Sequence, residues 1–137
     1  MAAILIVEDD AKVRNILYDL FADWHVCHVA ATAEQALAYL EDEPYDVVLT
    51  DISMPGLSGI ELLGRVRQQH PDMPVIIVSG IDDREHAHGL LELGAYDYLV
   101  KPFRLDEVET SVGRALEFRR LMQEARGATD STGGATK

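Results

Sequence analysis

The chain has 137 residues, one cysteine, 12 basic and 24 acidic side chains, and a formal net charge of −12. This length suits one domain with its own core, and no apolar run reaches the roughly 18–20 residues of a transmembrane helix, so a membrane protein is not expected. The lone Cys27 excludes an intrachain disulfide framework and favours a reducing, cytoplasmic location. Residues 1–100 hold 5 basic and 18 acidic side chains, which would repel a phosphate backbone, so direct nucleic-acid binding is not expected either.

Five short apolar runs alternate with helical patterns along the chain. The runs lie at residues 4–7, 25–30, 47–49, 75–78 and 98–100. Continuous apolar runs of this length predict strands that are covered on both faces, as in a parallel sheet.

The stretches between the runs show helical spacing. Apolar residues recur every three or four positions from Val13 to Phe21 and from Leu105 to Leu116, and Trp24 is expected to pack at the end of the first helix. Capping signals mark the starts of the other three helices, at Thr32, Ser58 and Asp82. Five strand–helix units predict an α/β fold, a doubly wound five-stranded parallel sheet with helices on both faces and the flavodoxin-like order 2-1-3-4-5.

The composition changes near Gln123, where small and polar residues replace large apolar ones. We therefore assign residues 1–122 to one folded domain and residues 123–137 to a disordered tail or linker.

Polar side chains follow four of the predicted strands. They are Glu8 and Asp9 after the first strand, Asp51 after the third, Ser79 after the fourth and Lys101 after the fifth. The carboxyl ends of parallel strands share one edge of the sheet, so we expect these groups to converge there.

Three converging carboxylates require a cation. Two carboxylates about 4 Å apart repel by roughly 4 kcal/mol at an effective dielectric constant of 20. Oxygen ligands in this number suit Mg²⁺, which the sequence therefore predicts as the cofactor. The ammonium of Lys101 can balance charge beside the ion and contact a phosphoryl group.

Four motifs in this order resemble those of a response-regulator receiver domain of two-component phosphorelay systems. They read ILIVED at 4–9, VVLTDISMPG at 47–56, IVSG at 77–80 and GAYDYLVKPF at 94–103. The resemblance covers about residues 3–120, so it identifies the folded part, residues 1–122, as the receiver domain.

The resemblance implies a phosphoacceptor and its metal site. Asp51 would take a phosphoryl group from a phosphohistidine on a histidine kinase or a phosphotransfer protein. Asp9 and Asp51 would ligate Mg²⁺ directly, Glu8 through a water, and Ser53 through its backbone carbonyl. The chain would thus be a signalling switch and not an enzyme toward external substrates, catalysing only its own phosphorylation and autodephosphorylation.

The resemblance also implies the parts of a switch. Lys101, with a cis bond to Pro102, would contact the phosphoryl group, and Ser79 would donate a hydrogen bond to it. Tyr98 would then reorient inward behind Ser79. A half-exposed strand aromatic without a switching role is the alternative for Tyr98.

The surface that changes would be residues 82–120, and it would control an output domain or a separate effector protein. An apolar stripe continues along the last helix, at Phe118, Leu121 and Met122. Residues 82–122 could therefore pair with a second copy of the chain or lead toward an output domain. A frayed helix end is the alternative.

The sequence departs from the commonest receiver pattern at four positions. Glu8 stands where Asp is frequent, Ser79 replaces Thr, Gly80 replaces Ala, and Arg104 takes a helix-cap position. None of these changes removes a required functional group.

Three rival functions share parts of this pattern. A phosphohydrolase of the haloacid dehalogenase type would need an acid two residues after Asp51, where this chain has Ser53. A nucleotide or flavin module would need a Gly-rich or hydroxyl-rich loop after the first strand, where acids stand. A degenerate receiver that only makes protein contacts would not need the full set of acids, hydroxyl and amine.

Overall fold

The computed structural model describes the backbone of residues 1–81 and 84–136, with side chains up to residue 127. Within these ranges five strands alternate with five helices. The strands are β1 (Ala3–Val7), β2 (Val26–Ala30), β3 (Val47–Asp51), β4 (Val75–Ser79) and β5 (Asp97–Val100). The helices are α1 (Ala11–Phe21), α2 (Ala33–Asp42), α3 (Gly59–Gln69), α4 (Arg84–Glu92) and α5 (Leu105–Thr136).

All neighbouring strands pair in parallel, in the order β2-β1-β3-β4-β5. The predicted fold class and strand order are confirmed. The register places Asp51 opposite Val78, and Ser79 opposite Val100. The ends of β3, β4 and β5 are therefore level with one another at one edge of the sheet.

The sheet lies between two helical layers because its strand residues alternate between the two faces. On β1, Leu5 and Val7 pack in the core under α2, α3 and α4, whereas Ile4 and Ile6 pack in the core under α1 and α5. These four residues are at most 1% exposed. Burial on both faces explains why the strands read as continuous apolar runs.

Two of the predicted helix caps are present. Thr32 accepts a hydrogen bond from the backbone N–H of Gln35 at 3.1 Å, and Ser58 and Glu61 form a reciprocal capping box at the start of α3. Asp82, the third predicted cap, lies outside the described residues. The caps explain where α2 and α3 begin.

Trp24 and Cys27 lie near β2, and only Cys27 packs against the core. The expectation for Trp24 is wrong, since this residue is 77% exposed instead of packed at the end of α1. Cys27 is partly buried against the core under α1 and α5, and burial raises its pKa to about 11. That thiol stays protonated at neutral pH, as a packing residue would.

Helix α5 continues beyond residue 122, through the segment whose composition predicts a disordered tail or linker. Arg119 lies 3.9 Å from Asp46, and Arg126 forms an ion pair with Asp72. A helix that has already formed gains a backbone hydrogen bond for each added residue, which favours its continuation. The boundary between residues 122 and 123 stays a prediction. Within the described part of the chain, no helix combines the length and the apolarity that crossing a bilayer requires.

Candidate phosphoacceptor and metal site

The loop after β1 places two acids at the edge of the sheet. The N–H of Glu8 donates to the carbonyl of Ala30 at 2.9 Å, which extends the pairing of β1 with β2 by one residue. The Glu8 side chain is only 2% exposed, whereas Asp9 is exposed. The guanidinium of Arg14 donates to the carbonyl oxygens of Glu8 at 2.9 Å and Asp9 at 3.4 Å. Helix α1 thereby fixes the backbone that carries both acids.

Asp51 is the last residue of β3 and is 7% exposed. The N–H of Ser53 donates to Asp51 Oδ1 at 3.4 Å. Helix α3 begins close by, where a Cβ on Gly59 would lie 2.3 Å from the carbonyl oxygen of Asp51. Only glycine permits this approach, which holds the start of α3 against the end of β3.

Glu8, Asp9 and Asp51 converge as predicted. One carboxylate oxygen from each lies within 4.8 Å of the other two. A set of carboxylate oxygens at this spacing fits a hard divalent cation, and Mg²⁺ is bound in proteins by such carboxylates together with water and phosphate. The three residues could therefore hold Mg²⁺.

Lys101 follows β5 and reaches the same site. Its Nζ donates to Glu8 Oε1 at 2.7 Å and lies 3.3 Å from Asp51 Oδ2. Its backbone N–H donates to the carbonyl of Ser79 at 2.7 Å, and its peptide bond to Pro102 is cis, as expected. The ammonium balances two buried carboxylates from the side of β5.

The electrostatics of the site follow from its burial. Burial raises the pKa of Glu8 to about 6, against the hydrogen bond from Lys101, which lowers it. Burial also acts to lower the pKa of Lys101, but the hydrogen bond to Glu8 and the charge of Asp51 outweigh it and raise that pKa. Near neutral pH the site therefore contains a charged ammonium beside carboxylates that a cation would further stabilise.

The side chains of Ser79 and Tyr98 both hydrogen-bond to the backbone of Ile81, in the loop after β4. The fully buried Ser79 accepts a hydrogen bond from the N–H of Ile81 at 3.1 Å. The hydroxyl of Tyr98 donates to the carbonyl oxygen of Ile81 at 2.6 Å, and its ring stands edge-on to His86 at 5.9 Å. Tyr98 is thus a partly buried strand aromatic that also bonds to the loop.

The sequence patterns did not identify Arg14 as part of the site. The signal available was its rarity, because it is one of five basic residues in the first 100 positions. Its spacing of five and six residues from the two acids also matches one turn of helix after a short loop. Neither signal specifies a bond to backbone carbonyls.

Comparison with known proteins agrees with this geometry. The family described as the response regulator receiver domain matches residues 4–113. The DNA-binding transcriptional regulator NtrC of Salmonella typhimurium is 37% identical over 122 residues, which cover 88% of this chain and 26% of that protein. The chain therefore belongs to the receiver domain family of two-component response regulators, whose members act as phosphoacceptor switches.

Solved structures give the same result. NtrX from Brucella abortus superimposes with a TM-score of 0.85 and 35% sequence identity, covering 91% of this chain and 29% of that one. The receiver domain of the Francisella response regulator 1452 superimposes with a TM-score of 0.79 and 32% identity, covering 89% of this chain and 99% of that one. The chain spans about a quarter of the length of the curated relatives it matches.

Proposed function

We propose that this chain takes one phosphoryl group onto Asp51, with Mg²⁺ bound by Asp9, Asp51 and the backbone carbonyl of Ser53, and by Glu8 through a water. The observation that supports this most is the convergence of three acids and one ammonium at one edge of the sheet. The donor would be a phosphohistidine on a histidine kinase or a phosphotransfer protein in the cytoplasm.

The proposed reaction uses groups of this chain in defined roles. A carboxylate oxygen of Asp51 forms a bond to phosphorus while the P–N bond breaks, and its electron pair stays on the imidazole of the donor. Lys101 lies 3.3 Å from Asp51 Oδ2, so its ammonium can stabilise charge on the transferred group. Bound Mg²⁺ would neutralise the equatorial phosphoryl oxygens. Water attack on the same phosphorus would later break its bond to the Asp51 oxygen, which releases phosphate and restores the Asp51 carboxylate; this is the proposed autodephosphorylation.

Ser79 and Tyr98 form the proposed switch. The Ser79 hydroxyl accepts from Ile81, so its proton is available for a phosphoryl oxygen. The phosphoryl group adds about −1.5 to −2 charge, and its oxygens offer Ser79 and Lys101 an additional partner that is present only after phosphorylation. Such differential contacts can shift the surface at residues 82–120, whose first two residues lie outside the described range.

An output domain or a separate effector would respond to this change in the surface at residues 82–120.

Phe118 and Leu121 on α5 are 37% and 51% exposed, and Phe118 packs against Tyr96. This apolar surface supports a homodimer through residues 82–122 as a further part of the proposal. Sedimentation of the phosphorylated chain and of a Leu121→Ser variant tests it, since the variant should stay monomeric.

The decisive experiment treats the folded chain with acetyl phosphate or phosphoramidate and Mg²⁺. We expect intact-mass spectrometry to show one added phosphoryl group that base removes. Asp51→Asn should show none, whereas Asp19→Asn, at an exposed aspartate on α1, should react like the unchanged chain. An unmodified wild-type chain, or equal labelling of Asp51→Asn, would reject the proposal.

A further inference from the structure

The loop that joins β3 to α3, residues 52–58, is held at three points. Its first residue is fixed by the sheet, since the N–H of Ile52 donates to the carbonyl of Val78 at 3.2 Å. Its far end is fixed because the N–H of Gly59 donates to the carbonyl of Ile52 at 3.0 Å. The third point comes from α2, where Glu34 Oε1 accepts a hydrogen bond from the N–H of Leu57 at 2.8 Å.

The turn before Leu57 is shaped to receive this carboxylate. Gly56 has φ +79°, and a Cβ at that position would lie 2.8 Å from Glu34 Oε2. Glycine tolerates this φ and leaves the space that the carboxylate occupies. A charged acceptor also bonds more strongly to a backbone N–H than a neutral one does. One side chain of α2 thus bonds to Leu57 and lies directly against Gly56.

Ser53 lies between these restraints. It follows Ile52, which the sheet fixes, and precedes the turn that Glu34 fixes. Its N–H already reaches Asp51 Oδ1 at 3.4 Å. The carbonyl that Ser53 would offer to the ion belongs to this short restrained segment, so its position depends on where the turn is held.

We infer that Glu34 is a positioning residue for the metal site. Glu34 holds the 52–58 loop in the conformation that binds Mg²⁺. This inference rests on the proposed function, because it assigns Glu34 a role toward the same ion. Glu34 acts through the loop and is not itself a ligand. Its removal should therefore change the affinity for Mg²⁺ more than the rate of phosphoryl transfer at saturating Mg²⁺.

The test compares three variants by calorimetric titration of the full chain with Mg²⁺. We expect Glu34→Ala to raise the Kd for Mg²⁺ about fivefold, on the scale of one lost hydrogen bond. Glu34→Gln keeps an acceptor for Leu57 and should stay within about twofold of the unchanged chain. Labelling by phosphoramidate at saturating Mg²⁺ should proceed at similar rates in all of them.

Gln35→Ala is the matched control. Gln35 accepts a hydrogen bond from the N–H of Ala31 at 2.9 Å, at the same end of α2. Its loss should weaken the helix start and lower the melting temperature without changing the Kd for Mg²⁺. This separates a positioning role from a general loss of stability.

The outcomes are distinct. An unchanged Kd in a folded Glu34→Ala variant, beside normal Mg²⁺ binding by the wild type, overturns the inference and leaves the proposed function intact. If Glu34→Ala does not fold, Glu34→Asp decides, because it keeps the charge but is one methylene too short to reach the N–H of Leu57 and should raise the Kd similarly; an unchanged Kd there overturns the inference. A wild-type chain that binds no Mg²⁺ overturns both.

Discussion

Lys101 Nζ lies 2.7 Å from Glu8 Oε1, although the two residues are 93 positions apart in the chain. The contact joins the end of β5 to the end of β1 across two intervening strands, β3 and β4. It brings a cation to the most buried acid of the cluster, whose side chain is 2% exposed. The ammonium thus offsets carboxylate charge that would otherwise be desolvated without a partner.

Lys101→Met should therefore destabilise the chain in the absence of Mg²⁺. It leaves Glu8 and Asp51 without their ammonium, and we expect a loss of about 1–3 kcal/mol in the free energy of unfolding. Mg²⁺ should recover part of this loss, since it supplies positive charge at the same acids. Urea unfolding with and without Mg²⁺ measures both effects.

Lys12→Met, at an exposed lysine on α1, is the control for that substitution and should leave the unfolding free energy within about 0.5 kcal/mol. We further expect Lys101→Met to slow labelling by phosphoramidate at least about tenfold. Equal stability and equal labelling of the two variants would contradict the role given to Lys101.

Glu8 makes stability depend on pH. Its pKa rises from 4.5 to about 6 on folding, because burial disfavours the carboxylate. Between these values the folded chain keeps a proton that the unfolded chain has released, so this residue's contribution to stability falls as pH rises from about 4.5 to 6. At roughly 1.4 kcal/mol per pH unit, the loss amounts to about 2 kcal/mol.

Urea unfolding at several pH values, compared between the unchanged chain and Glu8→Gln, isolates this contribution. The difference in unfolding free energy between them should change across that window and level off above it. Saturating Mg²⁺ should reverse the trend, because the ion favours the carboxylate. Parallel pH profiles in the absence of Mg²⁺ would show that Glu8 does not titrate in this way.

Tyr98→Phe removes the hydroxyl that donates to Ile81 and keeps the ring beside His86. We expect a loss of about 1 kcal/mol, typical of one hydrogen bond. The loop after β4 should also exchange its amide hydrogens faster in the unphosphorylated state. Tyr96→Phe is the control, since Tyr96 packs its ring on Phe118 instead. Equal exchange of the loop in both variants would argue against the bond to Ile81.

Removal of residues 123–137 tests the predicted domain boundary. The truncation breaks the ion pair between Arg126 and Asp72, in which Arg126 is 63% exposed. Asp72 is only 13% exposed, but a pair whose cation is in solvent contributes about 1 kcal/mol or less, so the free energy of unfolding should change little and labelling at Asp51 should not change. Asp72→Asn in the full chain measures the pair alone. A loss of several kcal/mol would place part of the domain beyond residue 122.

The sequence predicts the sheet and the convergence of the side chains at the strand ends because both depend on local patterns. Glu8, Asp51, Ser79 and Lys101 directly follow or end apolar runs, and parallel topology brings all such positions to one edge. A strand end is visible in the sequence without knowledge of its neighbours.

Contacts between elements that are far apart in the sequence cannot be predicted from local patterns. The bond from Leu57 to Glu34 joins residues 23 positions apart, and it depends on how α2 packs beside the loop after β3. The exposure of Trp24 likewise depends on where α1 ends relative to β2. The continuation of α5 reflects helix propagation, which composition alone did not anticipate.

The peptide groups of Ile81 are held from two sides, by the hydroxyl oxygen of Ser79 at its N–H and by the hydroxyl of Tyr98 at its carbonyl. A serine hydroxyl can donate one bond while it accepts another. In the proposed phosphorylated state, Ser79 can thus turn its proton toward the new oxyanion without releasing Ile81. A displacement of Ser79 in that state would move Ile81 and, through it, the partly buried ring of Tyr98, so phosphorylation of Asp51 would alter the surroundings of Tyr98 and His86.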